Sequence, residues 1–181
     1  MTTPFPPAEK GVPGYDAAIV TEFLERARRV FEGLEEGITS ADIRAQAFPL
    51  VTKDGLATKA VDEALWRLEE AFADKEKVAQ TEAMGEESYF LEIREKAQEI
   101  LDRAARPAHQ KFRTVSIIQP GYHRGDVDAL MDDIARYFQQ QQQLSVSSVR
   151  TATFRTLLGG YDEAQVDALV DETISVMLAV R

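Results

Sequence analysis

Two histidines and a group of aspartates are the residues of this 181-residue chain whose types could do chemistry. His109 follows Pro-Ala in a linker and His123 lies at a predicted helix start, and no local motif places either beside a serine and a carboxylate, as a nucleophilic triad requires. Asp128, Asp132 and Asp133 share a predicted helix beside an apolar stripe, which indicates a solvated face, whereas metal ligands converge from several elements. These residues therefore predict neither catalysis nor metal binding.

The remaining reagents of enzyme chemistry are missing from the sequence. The chain has no cysteine, and Gly159-Gly160 lacks the lysine and the spacing of a phosphate-binding loop. A net charge of −10 disfavours nucleic acid and anionic lipid as partners. The Pro-rich start has no apolar core, and no apolar run approaches the ~20 residues of a membrane span. We expect a cytoplasmic protein with no enzymatic activity, no cofactor and no nucleic-acid partner.

The elements that position the side chains begin with a recurring helix entrance: a Gly, a Tyr or Leu, four variable residues and a Val. The four entrances start at Gly14-Tyr15, Gly55-Leu56, Gly121-Tyr122 and Gly160-Tyr161, with fixed valines at Val20, Val61, Val127 and Val166. The residues 3, 4, 7 and 11 positions after each valine, nearly all apolar, share one helical face. The predicted pairing face includes Phe23, Leu24, Leu65, Leu68, Leu130, Ile134, Leu169 and Met177. This recurrence predicts tandem helical repeats whose long amphipathic helices pair as in a coiled coil.

Capping chemistry explains the fourth entrance. Asp162 is a good N-cap, and Gln165 stands at the third helical position, where it would close a capping box. Tyr161 precedes the cap and would pack on Val166 as a hydrophobic staple. Gly160 supplies a permissive turn.

The other entrances follow this arrangement less completely. The first has Tyr15 and Asp16 in the same places. The second has Leu56, so that Thr58 would cap its helix one residue late, and the third has His123 at the cap position. We expect these last two helix starts to be weaker by roughly 1 kcal/mol each.

The spacing of the entrances predicts three segments. Residues 1–84 hold the first two entrances, with helices near 16–36, 39–48 and 58–84, the second of them capped by Thr39 with Asp42. Residues 85–106 form a connecting helix. Residues 107–181 hold the last two entrances, with helices near 123–143 and 162–180. The segments 112–117 and 149–154 align without a gap, and their β-branched residues predict a short strand or an extended stretch.

The motifs resemble those of the N-terminal domain of DivIVA, a bacterial polar and septal scaffold, and more specifically of actinobacterial proteins with DivIVA-like domains in tandem. The segment Ile38–Ile43, with sequence ITSADI, and Phe48 resemble the opening motif of that family. The segment Gly160–Leu169, with sequence GYDEAQVDAL, resembles its second motif, and the other entrances match parts of it. The resemblance implies a non-enzymatic cell-division or polar-growth scaffold that self-associates and recruits protein partners, cytoplasmic and peripheral at poles or septum.

The membrane contact of that family is a Phe-Arg pair just before Gly-Tyr, and this chain lacks it. Those positions hold Val12-Pro13, Lys53-Asp54, Gln119-Pro120 and Leu158-Gly159. Leu157 and Leu158 are the apolar pair left as a membrane or partner tip.

Two arrangements of the entrances remain open. The stretches 37–55 and 144–161 are long enough to let successive long helices run parallel. We hypothesise two intramolecular pairs, entrance one with two and entrance three with four; a homodimer is the other form of self-association. An alternative function is a generic cytosolic helical-repeat adaptor that binds a partner helix in a groove and has no role in division or at membranes.

Overall fold

The chain is mostly helical, in agreement with the predicted all-α class. The structure, a computed structural model, describes residues 4–181, and within that range it contains seven helices and two small antiparallel sheets. The chain divides into two compact units, residues 1–79 and 80–181. Among the described residues, no helix combines the length and the apolar character of a membrane span.

The first unit is built on two long helices, one short helix and a two-stranded sheet. Its elements are β1 (Gly14–Tyr15), α1 (Ala17–Phe31), α2 (Ser40–Ala45), β2 (Leu50–Val51) and α3 (Thr58–Met84), whose last residues lie beyond the unit boundary. β1 and β2 are antiparallel, with Gly14 opposite Val51 and Tyr15 opposite Leu50. α1 and α3 run parallel, because their entrances meet at one end and the rings of Phe31 and Phe72 lie 5.4 Å apart at the other.

The limits of α1 follow from its caps. The Asp16 side chain accepts hydrogen bonds from the first turn, as predicted. The helix ends at Phe31, short of the predicted residue 36, because Gly33 adopts a φ of 77°. The N–H groups of Gly33 and Leu34 then bond to the carbonyls of Val30 and Arg29, which is a Schellman arrangement.

The short helix α2 has the predicted capping box. Thr39 Oγ1 accepts from the Asp42 N–H at 3.1 Å, and Asp42 accepts from the Thr39 N–H at 2.9 Å. α2 ends at Ala45, before the predicted residue 48. An ion pair ties it to α3, since Arg44 lies 2.7 Å from Glu69, whose side chain is 1% exposed.

The start of α3 corrects one predicted cap. The carbonyl of Ala57 accepts from the Val61 N–H at 3.3 Å, so Ala57 is in the cap position and Thr58 is the first helical residue. Alanine offers no side-chain acceptor, so this start has no side-chain cap at that position.

The second unit places three long helices around one core. Its elements are α4 (Glu86–Ala104), β3 (Pro120–Tyr122), α5 (Arg124–Gln140), α6 (Val146–Arg150), β4 (Thr156–Leu158) and α7 (Glu163–Ala179). β3 and β4 are antiparallel, with Gly121 opposite Leu157 and Tyr122 opposite Thr156. α5 ends at Gln140, where Gln141 becomes left-handed, and not at the predicted residue 143.

The helix predicted as a connector over 85–106 belongs to this second unit. Tyr89, Ile93 and Ile100 of α4 are buried in the same core as α5 and α7. The apolar side chains of α4 require burial, and α5 and α7 supply it. Lys111 then closes the end of α4 by donating to the Ala104 carbonyl, and it also lies 3.1 Å from Asp132.

The two aligned segments adopt different structures. Val146–Arg150 is a short helix, because Ser145 caps it by accepting from the Ser148 N–H at 3.0 Å. In the other segment, Thr114 forms a β-bridge with Tyr161. Of the predicted segment 149–154, only Val149 and Arg150 lie in the helix, at its C-terminal end, and residues 152–154 follow it without helical structure. The alternation of β-branched residues therefore predicts the extended backbone at Thr114 and misses only the end of α6.

Candidate functional site

In the first unit, the two entrances cross in direct backbone contact. The Tyr15 N–H donates to the Leu56 carbonyl at 3.0 Å, and the Leu56 N–H donates to the Tyr15 carbonyl at 2.8 Å. The glycines that precede them leave no room for a side chain, since a Cβ on Gly55 would lie 2.8 Å from two backbone atoms of Gly14.

The second unit repeats this contact between entrances three and four. The Tyr122 N–H donates to the Tyr161 carbonyl at 3.0 Å, and the Tyr161 N–H donates to the Tyr122 carbonyl at 2.8 Å. A Cβ on Gly121 would overlap the Tyr161 carbonyl oxygen, and one on Gly160 would overlap that of Tyr122. In both units, the entrances that meet are those of the hypothesised intramolecular pairs.

The entrance glycines have a different role from the one predicted for Gly160. None of the four has a positive φ, so the permissive-turn explanation is wrong. They are glycines because two backbones approach too closely for a Cβ. The left-handed residues lie just before the entrances, at Asp54 with φ 56° and Gly159 with φ 66°.

A buried polar network surrounds the tyrosine of the fourth entrance. Tyr161 is 0% exposed; its hydroxyl donates to Asp128 at 2.9 Å and accepts from the Lys111 N–H at 3.0 Å. Asp128 also accepts from the His109 N–H at 2.7 Å. Burial, reinforced by the neighbouring Asp128 carboxylate, raises the pKa of Tyr161 to about 12. The prediction that Asp128 lies on a solvated face is wrong, because the opposite entrance covers it.

The other entrance tyrosines also reach the helix of the opposite entrance. The Tyr122 hydroxyl lies 3.5 Å from Asp167, and Asp62 lies near enough to Tyr15 to affect its pKa. Burial, together with the Asp167 charge, raises the pKa of Tyr122 to about 12, and burial with Asp62 raises that of Tyr15. The sequence carries the signal for these partners, because an aspartate directly follows three of the four fixed valines.

Two side chains cap the helices beside the second crossing. His123 accepts from the Asp126 N–H at 3.3 Å, and Asp162 accepts from the Gln165 N–H at 3.2 Å. Gln165 does not close the predicted capping box, because its side-chain oxygen accepts from the Arg113 N–H instead. Hydrogen bonds from Arg155 hold the pKa of Asp126 well below its usual range.

The predicted pairing face lies in the interiors of the two units. All eight residues are buried or half-buried: Phe23, Leu24, Leu65 and Leu68 in the first unit, and Leu130, Ile134, Leu169 and Met177 in the second. The fixed valines Val20, Val61, Val127 and Val166 are at most 1% exposed. Tyr161 and Val166 share one core, as the predicted staple requires.

An apolar tip stands at the turn before the fourth entrance. We define the tip as Ile117, Ile118, Leu157 and Leu158, which are 83%, 80%, 39% and 63% exposed. The two loops are joined where the Gly159 N–H donates to the Gln119 carbonyl at 2.9 Å. Sequence reasoning identified the leucines and missed the isoleucines, although their adjacency between Ser116 and Gln119 was a visible signal.

The chemistry that this arrangement supports is association by shape and burial. The His109 side chain is 61% exposed, and that of His123 serves as a cap. Within residues 4–181, no three or more His, Asp or Glu side chains are grouped as a metal site would need. Comparisons of the chain with protein-family models, with curated proteins and with solved structures gave no match.

Proposed function

We propose that this protein is a non-enzymatic scaffold or adaptor of the kind that the DivIVA resemblance implies, built from tandem DivIVA-like helical repeats. In this proposal, pairs of repeats cross at their entrances, and the tip of the second unit contacts a membrane to which the protein recruits its partners. The observation that carries the proposal is the exposure of four large apolar side chains at the crossing.

The exposed area of the tip is large enough to matter for binding. Fully burying a Leu or Ile side chain gains about 1.5–3 kcal/mol. Leu158, at 63% exposure, would therefore gain about 1–2 kcal/mol on entering an apolar phase. That gain corresponds to roughly 5- to 30-fold in partitioning for this side chain alone.

A cation lies beside the tip. One guanidinium nitrogen of Arg124 donates to the Gly159 carbonyl at 2.7 Å, directly after Leu158. A positive charge next to exposed apolar residues suits the interface of an anionic bilayer, although the chain as a whole is acidic. The corresponding turn of the first unit holds Thr52, Lys53 and Asp54, which are polar. Membrane contact is therefore assigned to the second unit.

Flotation with vesicles of phosphatidylglycerol and phosphatidylethanolamine tests the tip. Leu158→Asp should reduce the bound fraction at least about fivefold, because it removes the apolar gain and adds a negative charge. Leu91→Asp is a matched control, since Leu91 is 54% exposed on α4 and does not belong to the tip. Equal binding by the two variants would refute the assignment of the tip.

The position of the fluorescently tagged chain in its native cell tests the scaffold itself. Enrichment at poles or septa is expected, and Leu158→Asp should disperse it. A uniform cytosolic signal together with an absence of flotation would favour the alternative, an adaptor that binds a partner helix away from membranes.

A further inference from the structure

At each crossing, a side chain of one entrance extends to the helix of the opposite entrance. An entrance tyrosine meets the residue that directly follows the fixed valine of its partner. In the second unit the pairs are Tyr161 with Asp128, at 2.9 Å, and Tyr122 with Asp167, at 3.5 Å. In the first unit the corresponding neighbours are Tyr15 and Asp62, whose charge contributes to the raised pKa of Tyr15. The fourth combination is Leu56 with Thr21, and it departs from the pattern at both positions.

The two departures complement each other. Leu56 is 4% exposed and has no hydroxyl to donate. Thr21 needs no donor from it, because its hydroxyl already donates to the Ala17 carbonyl of its own helix at 2.7 Å. An aspartate in place of Thr21 would need a donor that Leu56 cannot provide.

We propose that this pair of positions decides which entrances associate, and that Leu56 restricts entrance two to entrance one. In a pairing with any entrance other than entrance one, Leu56 would face Asp128, Asp167 or, in a second copy of the chain, Asp62. Each of these carboxylates would lose a tyrosine hydroxyl as its donor. At Asp128, which is buried and would keep the His109 N–H, this loss weakens the pairing about 10- to 100-fold, whereas at the exposed Asp167 water replaces the donor and the loss is smaller. The observed arrangement is the one division of the four entrances into pairs that leaves no carboxylate opposite Leu56.

The pairing rule has a consequence for self-association. The rule bars entrance two from pairing with its own copy in another chain, because two carboxylates would be left without a tyrosine donor. Its permitted partner is entrance one, of the same chain or of another. Entrances three and four each carry both a tyrosine and an aspartate, so the same rule permits their exchange between chains. This inference rests on the crossings and not on the membrane role of the tip, so either can fail alone.

Urea unfolding of the full-length chain, read by hydrogen exchange in peptides of the first unit, tests the rule. Thr21→Asp should lower the folding equilibrium constant of that unit about 10- to 100-fold. Adding Leu56→Tyr should raise this folding equilibrium constant again by at least tenfold, because the new hydroxyl supplies the hydrogen-bond donor. Adding Leu56→Phe instead is the matched control, since it brings a ring without the hydroxyl and should restore nothing.

The outcomes separate the rule from a merely structural effect. If Thr21→Asp alone does not fold, then folding of the Leu56→Tyr double variant, but not of the Leu56→Phe one, supports the rule. Three results would overturn the rule: equal recovery of stability by Leu56→Tyr and Leu56→Phe, recovery by neither of them, or no effect of Thr21→Asp on stability.

Discussion

Gly121→Ala would press a methyl group into the backbone of the opposite entrance. Its Cβ would overlap the Tyr161 carbonyl oxygen and lie 3.1 Å from the Gly160 carbonyl carbon. Relief requires the two backbones to separate, which weakens the reciprocal hydrogen bonds between Tyr122 and Tyr161, at 3.0 and 2.8 Å. Each such bond contributes about 0.5–1.5 kcal/mol net, and forced overpacking costs about 1–3 kcal/mol. We expect the free energy of unfolding of the second unit to fall by about 2–6 kcal/mol.

Thermal unfolding followed by circular dichroism, with hydrogen exchange at the Tyr122 and Tyr161 amides, measures this loss. For a unit of this size, the melting temperature should fall by at least about 8 °C. Gly125→Ala is the matched control, because Gly125 lies within α5 and its Cβ would meet only side-chain atoms, the nearest being Cε1 of His123 at 3.2 Å. Alanine in a helix gains up to about 1 kcal/mol over glycine. A Gly121→Ala protein as stable as Gly125→Ala would refute the close-approach argument.

Three further predictions concern side chains of the two units. Because the folded pKa values of Tyr122 and Tyr161 are raised to about 12, above the usual value of about 10, the stability that these groups contribute is complete below pH about 10 and lost as pH rises towards about 12. The urea midpoint of unfolding should fall across that pH range, and Tyr122→Phe should make the fall less steep. An unchanged dependence of the midpoint on pH in this variant would contradict the raised pKa of Tyr122. Arg44→Met should lower the free energy of unfolding by about 3–5 kcal/mol, because it leaves the Glu69 carboxylate buried without Arg44. The double variant Arg44→Met, Glu69→Leu should recover most of this loss. If the losses caused by the two single substitutions simply add in the double variant, the argument is wrong. Thr39→Ala should cost about 1 kcal/mol in urea unfolding while Thr39→Ser stays near wild type, and equal losses would show that the capping box is not the cause.

Sequence reasoning succeeded where the determining interactions are local. The caps at Asp16, Thr39 and Asp162 were predicted because each side chain serves N–H groups within three residues of itself. The pairing face was predicted because helical periodicity marks the residues that must be buried. The early end of α1 could also have been predicted locally, from Gly33, but the apolar pattern favoured a longer helix.

The missed features depend on residues far apart in sequence. The close approach of Gly14 to Gly55 joins positions that are 41 residues apart, and no local pattern distinguishes it from a turn glycine. The burial of Asp128 depends on Tyr161, from the opposite entrance. The hypothesis that entrances pair does not specify which side chains meet, so it did not identify the aspartates after the valines as partners for the tyrosines.

Each unit contains its own crossing of two entrances, and the residues around the two crossings differ in a consistent way. In the first unit, Leu56 and Thr21 replace one tyrosine–aspartate pair, and the turn before the entrance is polar. In the second unit, both pairs are kept and the turn carries the apolar tip. A unit that contacts a surface or other chains gains from entrances that accept several partners and from exposed apolar residues, whereas a unit whose second entrance accepts only the first needs neither. On this reasoning, exchanging Leu157 and Leu158 for polar residues should abolish binding without altering which entrances pair, whereas Thr21→Asp should disturb pairing in the first unit and leave binding by the tip intact.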